Sequence, residues 1–143
     1  MSVLAGEGGP PTLAPSGEKG LILIVEDNPT NARLTADMLH AAGFTTALAG
    51  DGESGLLFAR QQQPDLVLTD LQMPGMDGLA LTRCLKADPT TATIPVIAVT
   101  AHAMNDHREA AMLAGCCGFI TKPFRYRPFI AEVFDVLRLH RGC

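Results

Sequence analysis

Acidic, hydroxyl and amino side chains recur at one kind of place in this chain, the carboxyl ends of short apolar runs. Asp70 closes Leu66-Val67-Leu68-Thr69. Glu26-Asp27 follow Leu21-Ile22-Leu23-Ile24-Val25, Thr100 follows Ile94-Pro95-Val96-Ile97-Ala98-Val99, and Lys122 follows Gly118-Phe119-Ile120-Thr121. Apolar runs of this length suit strands buried on both faces, and in open α/β sheets the carboxyl ends of the strands border the ligand cleft. If these ends share one edge, three carboxylates, a hydroxyl and an ammonium face one another.

Such a cluster has a definite chemistry. Each like-charged pair a few ångströms apart costs on the order of a few kcal/mol at an effective dielectric of about 20, so the arrangement calls for a cation. Oxygen donors with no converging His or Cys suit Mg²⁺, which takes one or two carboxylates and completes its shell with water and phosphate oxygens. Asp27 and Asp70 are the expected direct ligands, with Glu26 acting through a water. Lys122 offers a point charge to a phosphoryl oxygen or to Asp70 itself, and Thr100 a neutral donor. Asp70 is then left as a carboxylate nucleophile able to form an aspartyl-phosphate. Taken singly, each residue has a plainer role: Asp70 as a turn former, Glu26-Asp27-Asn28-Pro29 as a polar turn, Thr100 as a helix cap, Lys122 as a solvated lysine. The combination carries the reading, because chance would have to place all of them on one edge of one sheet.

The elements that must position these residues follow from hydrophobic period. From Leu21 onward, apolar runs of about five residues alternate with segments of helical period, the signature of βα units around a parallel sheet. Strands are expected at 21–25, 45–49, 66–69, 94–99 and 118–120. The first helix should begin near Thr30, after the Asn28-Pro29 turn, with Leu34, Met38 and Leu39 as its apolar stripe and Gly43 as its stop. Asp51 can cap the second, whose Leu56, Leu57 and Ala59 face inward until Pro64. A third spans about Gly78 to Ala87 with Leu81 and Leu85 inward, and a fourth about Met104 to Ala114, ending at Gly115. The fifth starts around Tyr126, with Pro128 in its first turn and Phe129, Ile130, Val133 and Leu137 buried. The second strand is the least apolar and suits an edge. Short connections and right-handed crossovers give the order 2-1-3-4-5, a doubly wound, flavodoxin-like α/β fold with Glu26-Asp27 beside Asp70.

With 143 residues and 47% hydrophobic content, the chain can form one ordinary core, so a single domain with a short appendage is expected. Residues 1–20, rich in Gly and Pro and without apolar period, read as a flexible tail, an inert leader rather than a docking segment. A net charge of −4 argues against nucleic acid as a direct partner. No apolar stretch approaches the roughly 20 residues that cross a bilayer, and the first 20 lack a basic start before an apolar core, so no membrane association and a cytoplasmic location are expected. Cys84, Cys116, Cys117 and Cys143 form no paired metal knuckles and read as buried or idle thiols. His40, His102 and His107 read as surface residues.

Four segments together resemble the receiver domain of two-component response regulators: Ile24-Val25-Glu26-Asp27-Asn28-Pro29, Asp70-Leu71-Gln72-Met73-Pro74-Gly75-Met76-Asp77-Gly78, Val99-Thr100-Ala101, and Phe119-Ile120-Thr121-Lys122-Pro123-Phe124. The resemblance covers residues 21–140 and implies a CheY-like (βα)5 fold, with Asp70 as phosphoacceptor. It implies Mg²⁺ held by Glu26, Asp27, Asp70 and the backbone carbonyl of Gln72, with Thr100 and Lys122 on the phosphoryl group. It further implies a cis peptide bond between Lys122 and Pro123, and an open phosphoryl entrance beside the small Ala101. Gln72 and His102 flank the pocket, where the family varies the lifetime of the acyl phosphate. The hydroxyl of Thr100 and the ring of Phe119 would form the switch, Phe119 having plain core packing as its alternative.

The surface that changes would be the one built from the fourth helix, the fifth strand and the fifth helix. Val-Glu-Asp-Asn and Val-Thr-Ala-His-Ala-Met resemble segments of DivK-like single-domain regulators and of receivers in hybrid histidine kinases. The expected partners are therefore a sensor histidine kinase or histidine phosphotransfer protein and a downstream protein, the chain itself being a monomer or weak dimer. It would be a signalling receiver that catalyses its own phosphoryl transfer and dephosphorylation, not a metabolic enzyme. A Mg²⁺-dependent phosphohydrolase is the rival, but such enzymes usually carry a second acid two residues after the nucleophile, where this chain has Gln72. A flavodoxin-like cofactor binder would need a Gly-rich phosphate cradle after the first strand, where this chain is acidic.

Overall fold

The computed structural model describes residues 20–101 and 105–141. Five strands, β1 (Leu21–Val25), β2 (Thr45–Ala49), β3 (Leu66–Asp70), β4 (Val96–Thr100) and β5 (Gly118–Thr121), alternate with α1 (Pro29–Ala41), α2 (Gly52–Gln62), α3 (Gly78–Ala87), α4 (Asn105–Ala114) and α5 (Tyr126–Arg141). All pairings are parallel and the sheet order is β2-β1-β3-β4-β5, as the connection rules require. The expected tail at residues 1–20 lies, but for Gly20, outside the described residues, as do His102 and Cys143.

Every residue of β1, β3 and β4 is buried, whereas β2, at the edge, is mostly half-exposed. Side chains alternate across the sheet and build two cores. Ile22, Ile24, Leu66, Leu68, Ile97, Val99 and Ile120 meet Leu39, Phe129, Val133 and Leu137 from α1 and α5. Leu23, Val25, Val67, Val96 and Ala98 meet Ala59, Leu81, Leu85 and Ala111 from α2, α3 and α4.

Two helical stripes differ from expectation. Leu34 is 55% and Leu57 56% exposed, and the inward positions belong to Ala32, Ala36 and Leu39 in α1 and to Gly52, Gly55 and Ala59 in α2. Leu34 lies two residues, about 200° of helical rotation, from Ala32 and from Ala36, so it must face away once those small residues are inward. Close packing drives the choice: a Cβ at Gly55 would sit 2.8 Å from Val25 Cγ2. Small residues bring the helix axis against the sheet, and a leucine in the same position would hold it off.

Element ends are set by local hydrogen bonding. α1 starts at Pro29, one residue before the expected Thr30, because the Asn28 side chain accepts from the amides of Thr30 and Asn31, at 2.9 and 3.1 Å, while Pro29 lacks an amide to satisfy. Asp51 caps α2 through the Ser54 amide, 2.7 Å away, and Gln63, in the left-handed region with φ of 50°, ends it before Pro64. β4 begins at Val96, not Ile94, because Ile94 closes a turn through the Thr91 carbonyl. β3 and β5 each run one residue longer than expected, to Asp70 and Thr121.

Candidate functional site

Strand register brings the acidic ends together. Val25 pairs with Thr69, so Glu26 and Asp70 emerge side by side, while Asp70 pairs with Val99 and Thr100 with Thr121. Glu26, Asp70 and Lys122 each stand two residues beyond a member of the α1/α5 core, Ile24, Leu68 and Ile120, so alternation directs all three to one side. The Lys122 ammonium bridges the two acids, donating to Glu26 Oε1 and Asp70 Oδ2 at 2.8 Å each. One oxygen from each of Glu26, Asp27 and Asp70 lies within 4.8 Å of the others.

The second carboxylate oxygens of Glu26 and Asp70 each accept a backbone amide. Asp70 Oδ1 accepts the Gln72 amide at 3.0 Å, and Glu26 Oε2 accepts the Asn28 amide at 3.2 Å. Glu26 is 8% exposed and Asp70 8%. Burial pushes the Glu26 carboxyl above its ordinary pKa against the pull of Lys122, and the nearby Asp70 charge adds to the rise. Burial opposes the Lys122 ammonium too, but hydrogen bonds to Asp70 and Glu26, with their charges, outweigh it and raise its pKa. Burial dominates the first shift and the bonds to two carboxylates the second; acids outnumber the ammonium in a partly dehydrated cleft, a balance that favours a further cation. An all-oxygen donor set with exposed Asp27 at its rim fits Mg²⁺, which keeps several waters.

Thr100 is 1% exposed at the end of β4, and its carbonyl accepts the Lys122 amide at 2.7 Å, tying the two residues together. The Lys122–Pro123 peptide bond is cis, as the resemblance implied. Ala101 is exposed beside the site. Of Gln72, the structure ties the amide to Asp70. Phe119 is half-buried, packed on the α2/α3/α4 core, with the Arg108 guanidinium carbon 5.5 Å from its ring centroid. A cavity of about 420 Å³ is walled by Phe119, Pro123, Phe124, Arg125, Pro128 and Glu132. None of the three carboxylates lines it.

Gly78 is a supporting residue whose role the sequence pattern does not reveal. A Cβ there would collide with the Asp70 carbonyl oxygen and lie 2.9 Å from Leu71 Cα. The glycine lets the start of α3 press directly on the strand end that carries Asp70, while Asp77 caps the helix through the Ala80 amide at 2.9 Å. None of the described residues set aside as non-catalytic belongs to the acidic cluster. His40 is exposed and bonds Thr46 Oγ1 at 2.8 Å, whereas His107, expected at the surface, is half-buried in α4. Cys84, Cys116 and Cys117 are free thiols; burial, against the bond to Thr82, raises the pKa of Cys116 and keeps it protonated.

Comparison with known proteins converges on one family. The profile of the response regulator receiver domain matches residues 22–134. The polar-differentiation response regulator DivK of Brucella anthropi is 41% identical over 116 residues, which are 81% of this chain and 94% of that protein. The receiver domain of a signal transduction histidine kinase from Syntrophus aciditrophicus superposes with a TM-score of 0.77 at 37% identity, over 83% of this chain and 90% of that one. The receiver domain of the sensor histidine kinase PA1611 from Pseudomonas aeruginosa, solved with magnesium coordinated in its active-site cleft, gives 0.74 at 34% identity, over 87% of this chain and 98% of that one. Together with the β2-β1-β3-β4-β5 sheet and its acidic edge, these matches establish that the chain belongs to the response regulator receiver domain family.

Proposed function

We propose that this receiver is phosphorylated on Asp70 by a phosphohistidine of a sensor histidine kinase or histidine phosphotransfer protein, with Mg²⁺ bound by Glu26, Asp27, Asp70 and the carbonyl of Gln72. The observation that carries the reading is the Lys122 ammonium bridging Glu26 and Asp70 at 2.8 Å, with Asp27 in the same cluster. An Asp70 carboxylate oxygen attacks phosphorus, the P–N bond breaks, and its electron pair leaves with the imidazole nitrogen of the donor. Mg²⁺, when bound, neutralises charge on the phosphoryl oxygens. Lys122 holds Asp70 and turns its positive charge to the incoming anion, and the Thr100 hydroxyl donates to a phosphoryl oxygen. The open entrance beside Ala101 admits the donor side chain.

Phosphorylation is read by a partner protein through the face formed by α4, β5 and α5, with Thr100 and Phe119 as the moving parts. The protein acts in the cytoplasm, as a monomer or weak dimer; among the described residues no helix is long and apolar enough to span a membrane. Acetyl phosphate and Mg²⁺ should label the wild-type protein with one acid-stable, hydroxylamine-labile phosphoryl group, and Asp70→Asn should abolish labelling. Labelling that persists in Asp70→Asn, or multiple-turnover hydrolysis of a small phosphomonoester, would overturn the assignment.

A further inference from the structure

The sheet places Phe119 and Thr100 on a common face. Phe119 pairs with Ala98, and Thr100 is the next residue of β4 on the same side as Ala98. Ala98, directly across from Phe119, presents only a methyl group, and the buried Thr100 lies diagonally across from the ring. The ring is nonetheless half-exposed and carries the exposed Arg108 of α4 over its face, 5.5 Å from guanidinium carbon to ring centroid. That separation is within cation–π range.

We propose that Arg108 is a positioning residue of the switch: its guanidinium holds the Phe119 ring on the α4 side of β5 and opposes movement of the ring toward Thr100. The inference rests on the reading of Asp70 as phosphoacceptor and Phe119 as the moving ring. Inward movement buries more of the ring but gives up the contact with Arg108, so the cation biases the resting protein toward the outward ring. A receiver that reaches the inward state more readily accepts phosphate faster, because the ligand-competent state is a larger fraction of the population. The contact also ties α4 to β5 in the resting state and releases it on phosphorylation, so one side chain links the site to the partner-facing helix.

The test is a double-mutant cycle read by the initial rate of labelling with acetyl phosphate at saturating Mg²⁺. Loss of an exposed cation–π contact should speed labelling of Arg108→Ala about two- to fivefold. Arg108→Lys, which keeps a cation, should fall between it and wild type. On a Phe119→Leu background, Arg108→Ala should leave the rate unchanged. A 4-fluorophenylalanine placed at position 119 gives a second readout, since its ¹⁹F resonance in unphosphorylated Arg108→Ala should move toward that of the phosphorylated wild type. An unchanged or slower rate in Arg108→Ala, an equal effect on the Phe119→Leu background, or an unmoved resonance overturns the proposal. Failure of wild type to label at Asp70 overturns the receiver reading and this inference together, whereas normal wild-type labelling with an Arg108-independent rate overturns the inference alone.

Discussion

Two half-buried lysines at opposite ends of the same sheet show how partner chemistry separates a charge cluster from a structural turn. Lys122, at the carboxyl edge, donates to two carboxylates, and their charge raises its pKa. Lys86, in the last turn of α3 below the amino end of β4, donates instead to the carbonyls of Ala92 and Ile94, at 3.1 and 2.6 Å, and burial lowers its pKa. Carbonyl dipoles satisfy an ammonium without neutralising it, so the lower lysine closes a turn and has no carboxylate partner there to exchange. The upper lysine sits among acids that outnumber it, which is the condition for trading partners with a metal and a phosphoryl group.

Removing each lysine in turn should separate the two roles. Lys122→Ala, in Mg²⁺-saturated protein, should slow phosphoryl acceptance by about a hundredfold, the usual cost of losing one preorganised charge aimed at the transferred group. Its melting temperature should change little at saturating Mg²⁺, because a bound cation compensates the two buried carboxylates that the lysine leaves behind; stopped-flow labelling and calorimetry on the same sample check both. Lys86→Met keeps the aliphatic stem but orphans two carbonyls, so it should lose about 1–2 kcal/mol of stability in urea titration while labelling at the wild-type rate. If Lys86→Met slows labelling or Lys122→Ala unfolds the protein, the division between the edges fails.

The smallest effect concerns acid. Asp88, just past the end of α3, accepts the amide and hydroxyl of Thr90 at 2.9 and 2.8 Å and the Arg60 guanidinium at 2.8 Å, and in that order these bonds lower its pKa. A carboxyl with a folded pKa below its unfolded one contributes stability that is complete above the unfolded value and vanishes as pH falls through the folded one. Asp88→Asn should therefore flatten the acid limb of the stability curve below about pH 4 and leave neutral-pH labelling unaffected, as thermal melts from pH 7 to pH 3 would show. Glu26 moves the other way, because burial dominates there.

Much of this was legible in the chain itself. The strand positions came from apolar runs that β1, β3 and β4 could only bury on both faces, and Asp51 and Asp70 announced their places by what preceded and followed them. The misread residues were Leu34 and Leu57. Hydrophobicity favoured them for the core, but Ala32, Ala36, Gly55 and Ala59 won it because the helices pack close to the sheet. Steric fit between elements is a pairwise property and leaves no trace in the period of one segment. Arg108 was equally silent, since nothing in the spacing of α4 and β5 indicates that its guanidinium covers Phe119. Gly78 stood within the motif, but its reason, an approach to the Asp70 carbonyl too close for a Cβ, exists only once α3 is docked.

The sequence alone determined the kind of chemistry available: acids, a hydroxyl and an amine at strand ends, in an alternating βα order whose handedness admits few arrangements. The tertiary structure decided which of them touch. Register between parallel strands fixed Glu26 beside Asp70, and the bend after β5 carried Lys122 across to both, a contact between residues 96 and 52 positions apart. Charges that distant in the chain acquire an interaction energy only when folding brings them within a few ångströms and removes the water between them, and no local pattern can encode that distance.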